Sequence, residues 1–427
     1  MTARPPRPCV HFAARRGWIN DPLGLTHHDG TYHLFFQYVP GQTAWAPTCR
    51  WGHATSADLM HWTEQAPAIV PGDDEDGCWS GSLVGAADGG PVIFYTSVSL
   101  SDVGVGSVKR AHPVDPGWRV WDKDAQAIVT LPADVTATTF RDPYVFRDGD
   151  QWRMLVGAGL ADGTATALHY SSADLRAWTY DGQLAARSTR ETEPVWTGSM
   201  WECPQLLRLG SRDVLVVSAW DAKQLHHVAY AVGHYADGRF DVERWDRLSH
   251  GPSYYAASSF LDEHSRQGLI YWLRDVGDPA GGWMGALSIP HVLEMVDGRL
   301  RSAPHPALTA RRRATAGHPV AAFDLEWSPV PGGTLQLLEG TDRVVARLHH
   351  TSGGASEELV LDRPGHDVEG TWRVPYSHGP VRVVVDGPVL EVFTDRGILA
   401  AGLVPAPHGA RPAVSDGGGE LRWWPLV

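Results

Sequence analysis

Lysine is nearly missing from this chain: Lys109, Lys123 and Lys223 are the only three among 36 basic residues, and the formal charge is −13. An acidic chain without a basic run repels a phosphate backbone, so nucleic acid is not an expected partner and neutral ligands fit better. The bias toward arginine carries no mechanistic weight. Cysteine is scarce as well. Cys9, Cys49, Cys78 and Cys203 stand apart without CxxC spacing, which argues against a zinc ribbon or a disulfide framework and points to free thiols. No apolar run approaches the roughly 20 residues of a membrane span, so no membrane partner is expected. The opening stretch MTARPPRPCVHFAARRGW lacks the apolar core of about 7 to 15 residues that a secretory signal requires, and a cytoplasmic location is the expectation. HExxH, phosphate-loop and dinucleotide fingerprints are missing. The pairs His27-His28, His226-His227 and His349-His350 lack the i, i+4 spacing of a helical zinc site, so no metal and no organic cofactor is expected.

Helical patterns of useful length are also lacking between about residues 18 and 300. Short strand-like runs fill that span instead, among them YHLFFQY (32–38), PVIFYT (91–96), WRMLVGAG (152–159) and DVLVVSAW (213–220). Asp29-Gly30, Asp88-Gly89 and Asp148-Gly149 each precede such a run, as hairpin turns with positive φ would. The hairpins repeat. Asp21-Pro22, Ser80-Gly81, Asp142-Pro143, Glu202-Cys203 and Ala256–Ser259 each open a strand, at steps of about 60 residues. HATSADLMHW (53–62) and HYSSADLRAW (169–178) recur two repeat lengths apart. One antiparallel sheet per unit at this spacing is the signature of a β-propeller, and five units fill the segment. A solenoid would leave unexplained why a distinct polar pair begins every unit. In a propeller the innermost strands line a central funnel, where such pairs converge.

The stretch RSAPHPALTARRRATAGH (301–318) carries proline and arginine without strand alternation and reads as a linker. Alternation resumes in FDLEW (323–327), RVVARLHH (343–350), VRVVVDG (381–387) and VLEVFTDRG (389–397), as in a β-sandwich. The expected fold is therefore all-β: a five-bladed β-propeller over 1–300, a linker over 301–318 and a C-terminal β-sandwich over 319–427.

Three acids open three of the repeated strands: Asp21 in WINDPLG, Asp142 in FRDPYVF and Glu202 in WECPQL. Taken singly, an Asp-Pro pair is a turn device. Three acids in register with the repeat are harder to assign to turns, because in a propeller they face one funnel and repel one another there. A glycosidase needs two such groups, one carboxylate that attacks the anomeric carbon and one acid that protonates the leaving oxygen. Trp201 and Cys203 flank Glu202 in what reads as a low-polarity setting suited to the proton-holding acid. Asn20 is placed to hold the Asp21 carboxylate, which suits the nucleophile. Arg141 adds a donor fork for sugar hydroxyls. Nineteen tryptophans accord with sugar binding, although sheets also spend tryptophan on their cores.

These motifs, in this order and spacing, resemble the acidic motifs of the invertase, inulinase and levanase family, glycoside hydrolase family 32. YHLFFQYVP, WGHATSADLMHW, WSGS, YYAASSF, GGWMGALSIP and VDGPVLEVFTDRG extend the resemblance over most of the chain. It implies a five-bladed propeller with a β-sandwich and cleavage of β-linked fructose with retention. Asp21 would then be nucleophile, Asp142 transition-state stabiliser and Glu202 acid/base. The resemblance further implies a fructose pocket of Asn20, Gln37, Trp45, Trp79, Ser80, Arg141, Tyr255 and Trp283, each of which read alone is as readily a core or strand residue. Two departures from the family pattern, Leu23 after the first Asp-Pro and Ala46-Pro47 after Trp45, are expected near the pocket rim, where they bear on the leaving group. The readings to separate are hydrolysis of sucrose, fructo-oligosaccharide or fructan ends, fructosyl transfer, a propeller that only binds glycans, and an inverting arabinofuranoside hydrolase.

Overall fold

Aspartate followed by glycine closes a two-residue hairpin because both residues reach positive φ at modest cost. Asp29 and Gly30 adopt φ of 46° and 76°, and Asp237-Gly238 and Asp297-Gly298 close further hairpins in the same way. At the third blade Asp148 pairs with Gln151, so the turn is Gly149-Asp150, one residue later than the sequence suggested. The expected turn at Asp88-Gly89 lies outside the described residues. The structure is a computed structural model describing residues 6–86, 90–314, 319–340, 342–352, 357–365, 370–403, 406–415 and 417–426.

Each repeat is one antiparallel sheet. The first strands are Gly17–His28, Gly77–Ala86, Ala137–Asp148, Met200–Leu209 and Tyr254–Leu261. Each of these packs against its counterparts in the two neighbouring repeats, so the five form a closed ring of inner strands. This is the five-bladed propeller. The ring is closed by Trp283–Leu287, which leaves the fifth blade to pair in parallel with the inner strand of the first, Gly17 opposite Trp283 and Trp18 opposite Met284. Apolar side chains of adjacent blades fill the spaces between sheets. One such space takes Leu23, Phe35, Trp51, Ile93 and Tyr95.

Every inner strand breaks register with its neighbour at the same depth, between Ile19 and Pro22, Trp79 and Gly81, Arg141 and Tyr144, Glu202 and Gln205, and Tyr255 and Ser258. A bulge frees residues from the ladder and re-aims a side chain. Three bulge residues that are not glycine, Asp142, Cys203 and Ala256, hold left-handed backbone at φ of 66°, 48° and 49°. Such strain persists where the surroundings impose it, and it clusters at functional sites.

Two further sheets enclose a separate apolar core that includes Phe323, Leu325, Trp327, Val383 and Leu390. This is the β-sandwich. Strand pairing runs on past residue 300. Arg299–Pro304 still pairs within the fifth blade, and a short helix, Pro306–Thr309, occupies part of the expected linker. Residues 315–318 of that linker lie outside the described residues. The segment Cys9–His11 also crosses between the units. Asp386 accepts backbone N–H bonds from Cys9, Val10 and His11, and the His11 ring lies 2.9 Å from Asp386 and 2.7 Å from Glu391, fully buried. Among the described residues no helix is long and apolar enough to cross a membrane.

Candidate active site

The bulges aim three acids into one end of the ring. Asp21 comes from the first blade, Asp142 from the third and Glu202 from the fourth. Asn20 Nδ2 donates to Asp21 Oδ1 at 3.0 Å, and Trp18 Nε1 in turn donates to Asn20 Oδ1 at 3.2 Å. Ser80 Oγ, from the second blade, donates to Asp21 Oδ2 at 2.5 Å. Asp142 is tied down from both sides. Thr96 Oγ1 accepts from its backbone N–H at 2.8 Å and donates to Ser80 O at 2.9 Å, and the Cys203 N–H donates to Asp142 Oδ2 at 3.0 Å. The Cys203 thiol reaches Oδ2 of both aspartates at 3.7 Å.

Glu202 is gripped at each oxygen separately. Arg141 Nε and Nη2 donate to Oε1 at 3.0 and 2.7 Å, while the Tyr255 hydroxyl, from the fifth blade, donates to Oε2 at 2.5 Å. Trp201 packs away from it into the core, its ring 5.2 Å from that of Trp245, and Cys203 faces the two aspartates. The low-polarity setting expected from those two neighbours is therefore not what surrounds Glu202. Its surroundings are polar and come from other blades.

Burial, then the nearby Glu202 charge, push Asp21 up to about 6, against hydrogen bonds from Ser80, Asn20 and Cys203. Burial and the same charge raise Asp142, with Arg141 opposing. Burial first and then the charges of Asp142, Asp21 and Glu202 hold the Cys203 thiol well above its ordinary value, so it is a neutral S–H donor. Several acids sharing one poorly solvated space is an arrangement suited to proton transfer at neutral pH.

The other residues expected in the pocket divide into groups. Asn20, Ser80, Arg141 and Tyr255 touch the acids as described. Trp45 is 48% exposed, with its ring edge-on to Trp79 at 5.6 Å. Trp79 donates to Pro47 O at 2.7 Å, so the Ala46-Pro47 segment braces this tryptophan. Gln37 is buried and donates to Cys78 O at 3.0 Å. Trp283 lies in the core with Arg7 over its ring at 4.8 Å. Leu23 is a correction: it is 2% exposed and packs between the first two blades rather than at a rim. Sequence reasoning missed Thr96 and Trp220, which end the runs PVIFYT and DVLVVSAW and register there only as strand residues. The guanidinium of Arg141 lies over the rings of both Trp79 and Trp220, at 5.8 and 5.4 Å.

A cavity of about 430 Å³ opens at the opposite end of the ring, between Gly24–His27, Ser82, Tyr144, Gln205 and Ser258–Glu263. None of the three acids lines it. Cys9 is exposed and Cys49, Cys78 and Cys203 are buried, all as free thiols. Among the described residues no group of three or more His, Cys, Asp or Glu side chains is arranged to hold a metal ion.

Residues 11–304 match the family model described as Glycosyl hydrolases family 32 N-terminal domain. The sucrose-6-phosphate hydrolase of Escherichia coli is 29% identical across 94% of this chain and 90% of its own length. The beta-fructofuranosidase insoluble isoenzyme 7 of Oryza sativa subsp. indica is 33% identical across 88% of this chain and 64% of its own length. In fold, the chain resembles fructan 1-exohydrolase IIa from Cichorium intybus with a TM-score of 0.84 at 20% identity, covering 100% of this chain and 98% of that one.

Proposed function

Since the chain belongs to glycoside hydrolase family 32, we propose that it is a retaining β-fructofuranosidase in which Asp21, Asp142 and Glu202 carry the chemistry. It removes terminal β-linked fructose from sucrose, fructo-oligosaccharides or fructans, a small neutral sugar substrate. The observation that carries the assignment of residues is their convergence: acids from three blades meet around one thiol and one guanidinium.

In the first step an Asp21 oxygen forms a bond to the anomeric carbon of fructose. The glycosidic C–O bond breaks, and Glu202 gives its proton to the departing oxygen. In the second step Glu202 takes a proton from water, the water oxygen attacks the same carbon, and the bond to Asp21 breaks. Two inversions give net retention. Asn20 and Ser80 hold the two Asp21 oxygens in a fixed orientation, so little freedom is lost when the nucleophile attacks. Asp142, fixed by Thr96 and Cys203, is set to bind fructose hydroxyls as charge develops on the ring. No step calls for a metal or a cofactor.

The test is incubation of the purified protein with sucrose, sucrose 6-phosphate, inulin-type and levan-type oligosaccharides and an arabino-oligosaccharide, with products read by chromatography. Free fructose supports the reading. Longer oligosaccharides would mark transfer, and cleavage confined to the arabinoside would overturn it.

A further inference from the structure

Arg141 is the point at which three blades meet. Its own strand belongs to the third blade, Trp79 to the inner strand of the second, and Trp220 to the second strand of the fourth, Arg212–Asp221. The two indoles thus reach the guanidinium from the blades on either side of it, at 5.8 and 5.4 Å from their ring centres. A cation over an aromatic face is attracted by the ring, and arginine stacks there while its planar fork remains free to donate. Here the fork points at Glu202 Oε1 through Nε and Nη2.

We propose that Trp220 is a positioning residue for the acid/base: with Trp79 it fixes the plane of Arg141 and, through Arg141, the orientation of the Glu202 carboxyl. The proposal rests on the reading of Glu202 as acid/base given above. Tyr255 holds only Oε2, so Arg141 sets Oε1. An arginine free to turn would release that oxygen, and the proton would no longer be delivered along one line. Trp220 is itself firmly mounted. It pairs with Met200, its carbonyl accepts from Ser199 N at 3.0 Å, and Gly198 approaches so closely that a Cβ there would lie 2.4 Å from the Trp220 carbonyl oxygen. On the other flank Arg274 lies over the Tyr255 ring at 5.1 Å. Each of the two groups that hold Glu202 is therefore braced by a stacked partner.

The experiment compares sucrose with an aryl β-fructofuranoside, whose activated leaving group needs little protonation. Trp220→Leu is expected to lower kcat on sucrose roughly tenfold or more while the aryl substrate stays within about threefold of wild type, a part of the roughly 10² to 10⁴ that general acid catalysis supplies. The basic limb of the sucrose pH profile should also move relative to wild type. Trp220→Phe, which keeps an aromatic face, should restore most of the rate. Thermal melting checks the fold, and Trp220→Met, an unbranched side chain without a ring, replaces the leucine variant should that fail to fold. Equal losses on both substrates, a rise in KM alone, or unchanged kinetics would each overturn the proposal. Failure of the underlying reading looks different: the wild type would cleave neither fructoside, or Glu202→Gln would not distinguish the two substrates.

Discussion

The thiol of Cys203 stands 3.7 Å from a carboxylate oxygen of Asp21 and the same distance from one of Asp142. A thiol has one proton, so it can donate to only one of the two aspartates at a time. Asp21 and Asp142, the proposed nucleophile and sugar-binding aspartate, are thereby linked through a single weak donor. Replacement by Ser would shorten and strengthen that bond, and replacement by Ala would remove it. Cys203→Ala should move the acid limb of kcat/KM to higher pH, because a hydrogen bond that favours ionised Asp21 is lost. Cys203→Ser should leave the limb near or below that of the wild type. pH profiles of the three proteins decide, and an unmoved limb in the alanine variant would remove any role for the thiol.

Asp21 itself should set the acid limb, near pH 6, since the nucleophile must be ionised. Asp21→Ala should abolish turnover with the fold intact, and substantial residual cleavage would sink the assignment.

The same shift makes a stability prediction. Asp21 is raised from its ordinary 3.8 to about 6, so the native protein binds the extra proton between those values. Stability therefore falls as pH rises through that window, and above it the buried charge costs on the order of 3 kcal/mol. Asp21→Asn should raise Tm at pH 7, and the gain should fade toward pH 4. A gain equal at both pH values would point to something other than the charge.

Glu202→Gln should nearly stop sucrose cleavage while sparing an aryl fructoside, because only the former depends on proton donation. Rates measured on both substrates settle the point, and a parallel loss would mean that Glu202 is not the acid.

At the junction of propeller and sandwich, charges favour the paired state of His11. Despite burial, the charge of Glu391 and the bond to Asp386 raise His11 to about 9, and pairing with His11 takes Glu391 down to about 2. The histidine contribution is whole below its ordinary 6.5 and is lost as pH rises through 9. The glutamate contribution is whole above 4.5 and is lost as pH falls through 2. Removing His11 leaves Asp386 and Glu391 buried without that cation between them, held by backbone N–H groups and by Tyr254 and His291, so His11→Ala should cost about 3–5 kcal/mol, read by denaturant or thermal unfolding. A loss below about 1 kcal/mol would contradict this account of a buried ion cluster.

The repeat was legible because the bulge recurs in each inner strand and demands a polar or small residue there, which is why Asp21, Ser80, Asp142 and Glu202 stand out in the sequence. The setting of Glu202 was not legible. Its neighbours in sequence, Trp201 and Cys203, turn away from it, and the groups that touch it, Arg141 and Tyr255, lie on other blades. Leu23 was misplaced for a related reason. Past the bulge Leu23 stands opposite Phe35 across the ladder and enters the space between blades, where Phe35 and Trp51 cover it. Trp220 could not be singled out because its partner is a guanidinium from another blade, about 80 residues distant in sequence.

Cys9 and Asp386, bound to each other, are 377 positions apart along the chain. During synthesis the segment that leads into the Asp21 strand must therefore wait for Asp386 to emerge before it can dock. Contacts of such long sequence separation form late and slowly. The lead-in to the propeller's first strand is consequently secured late, which ties the approach to Asp21 to a finished C-terminal sandwich and leaves a chain ended before Asp386 without the anchor for that segment.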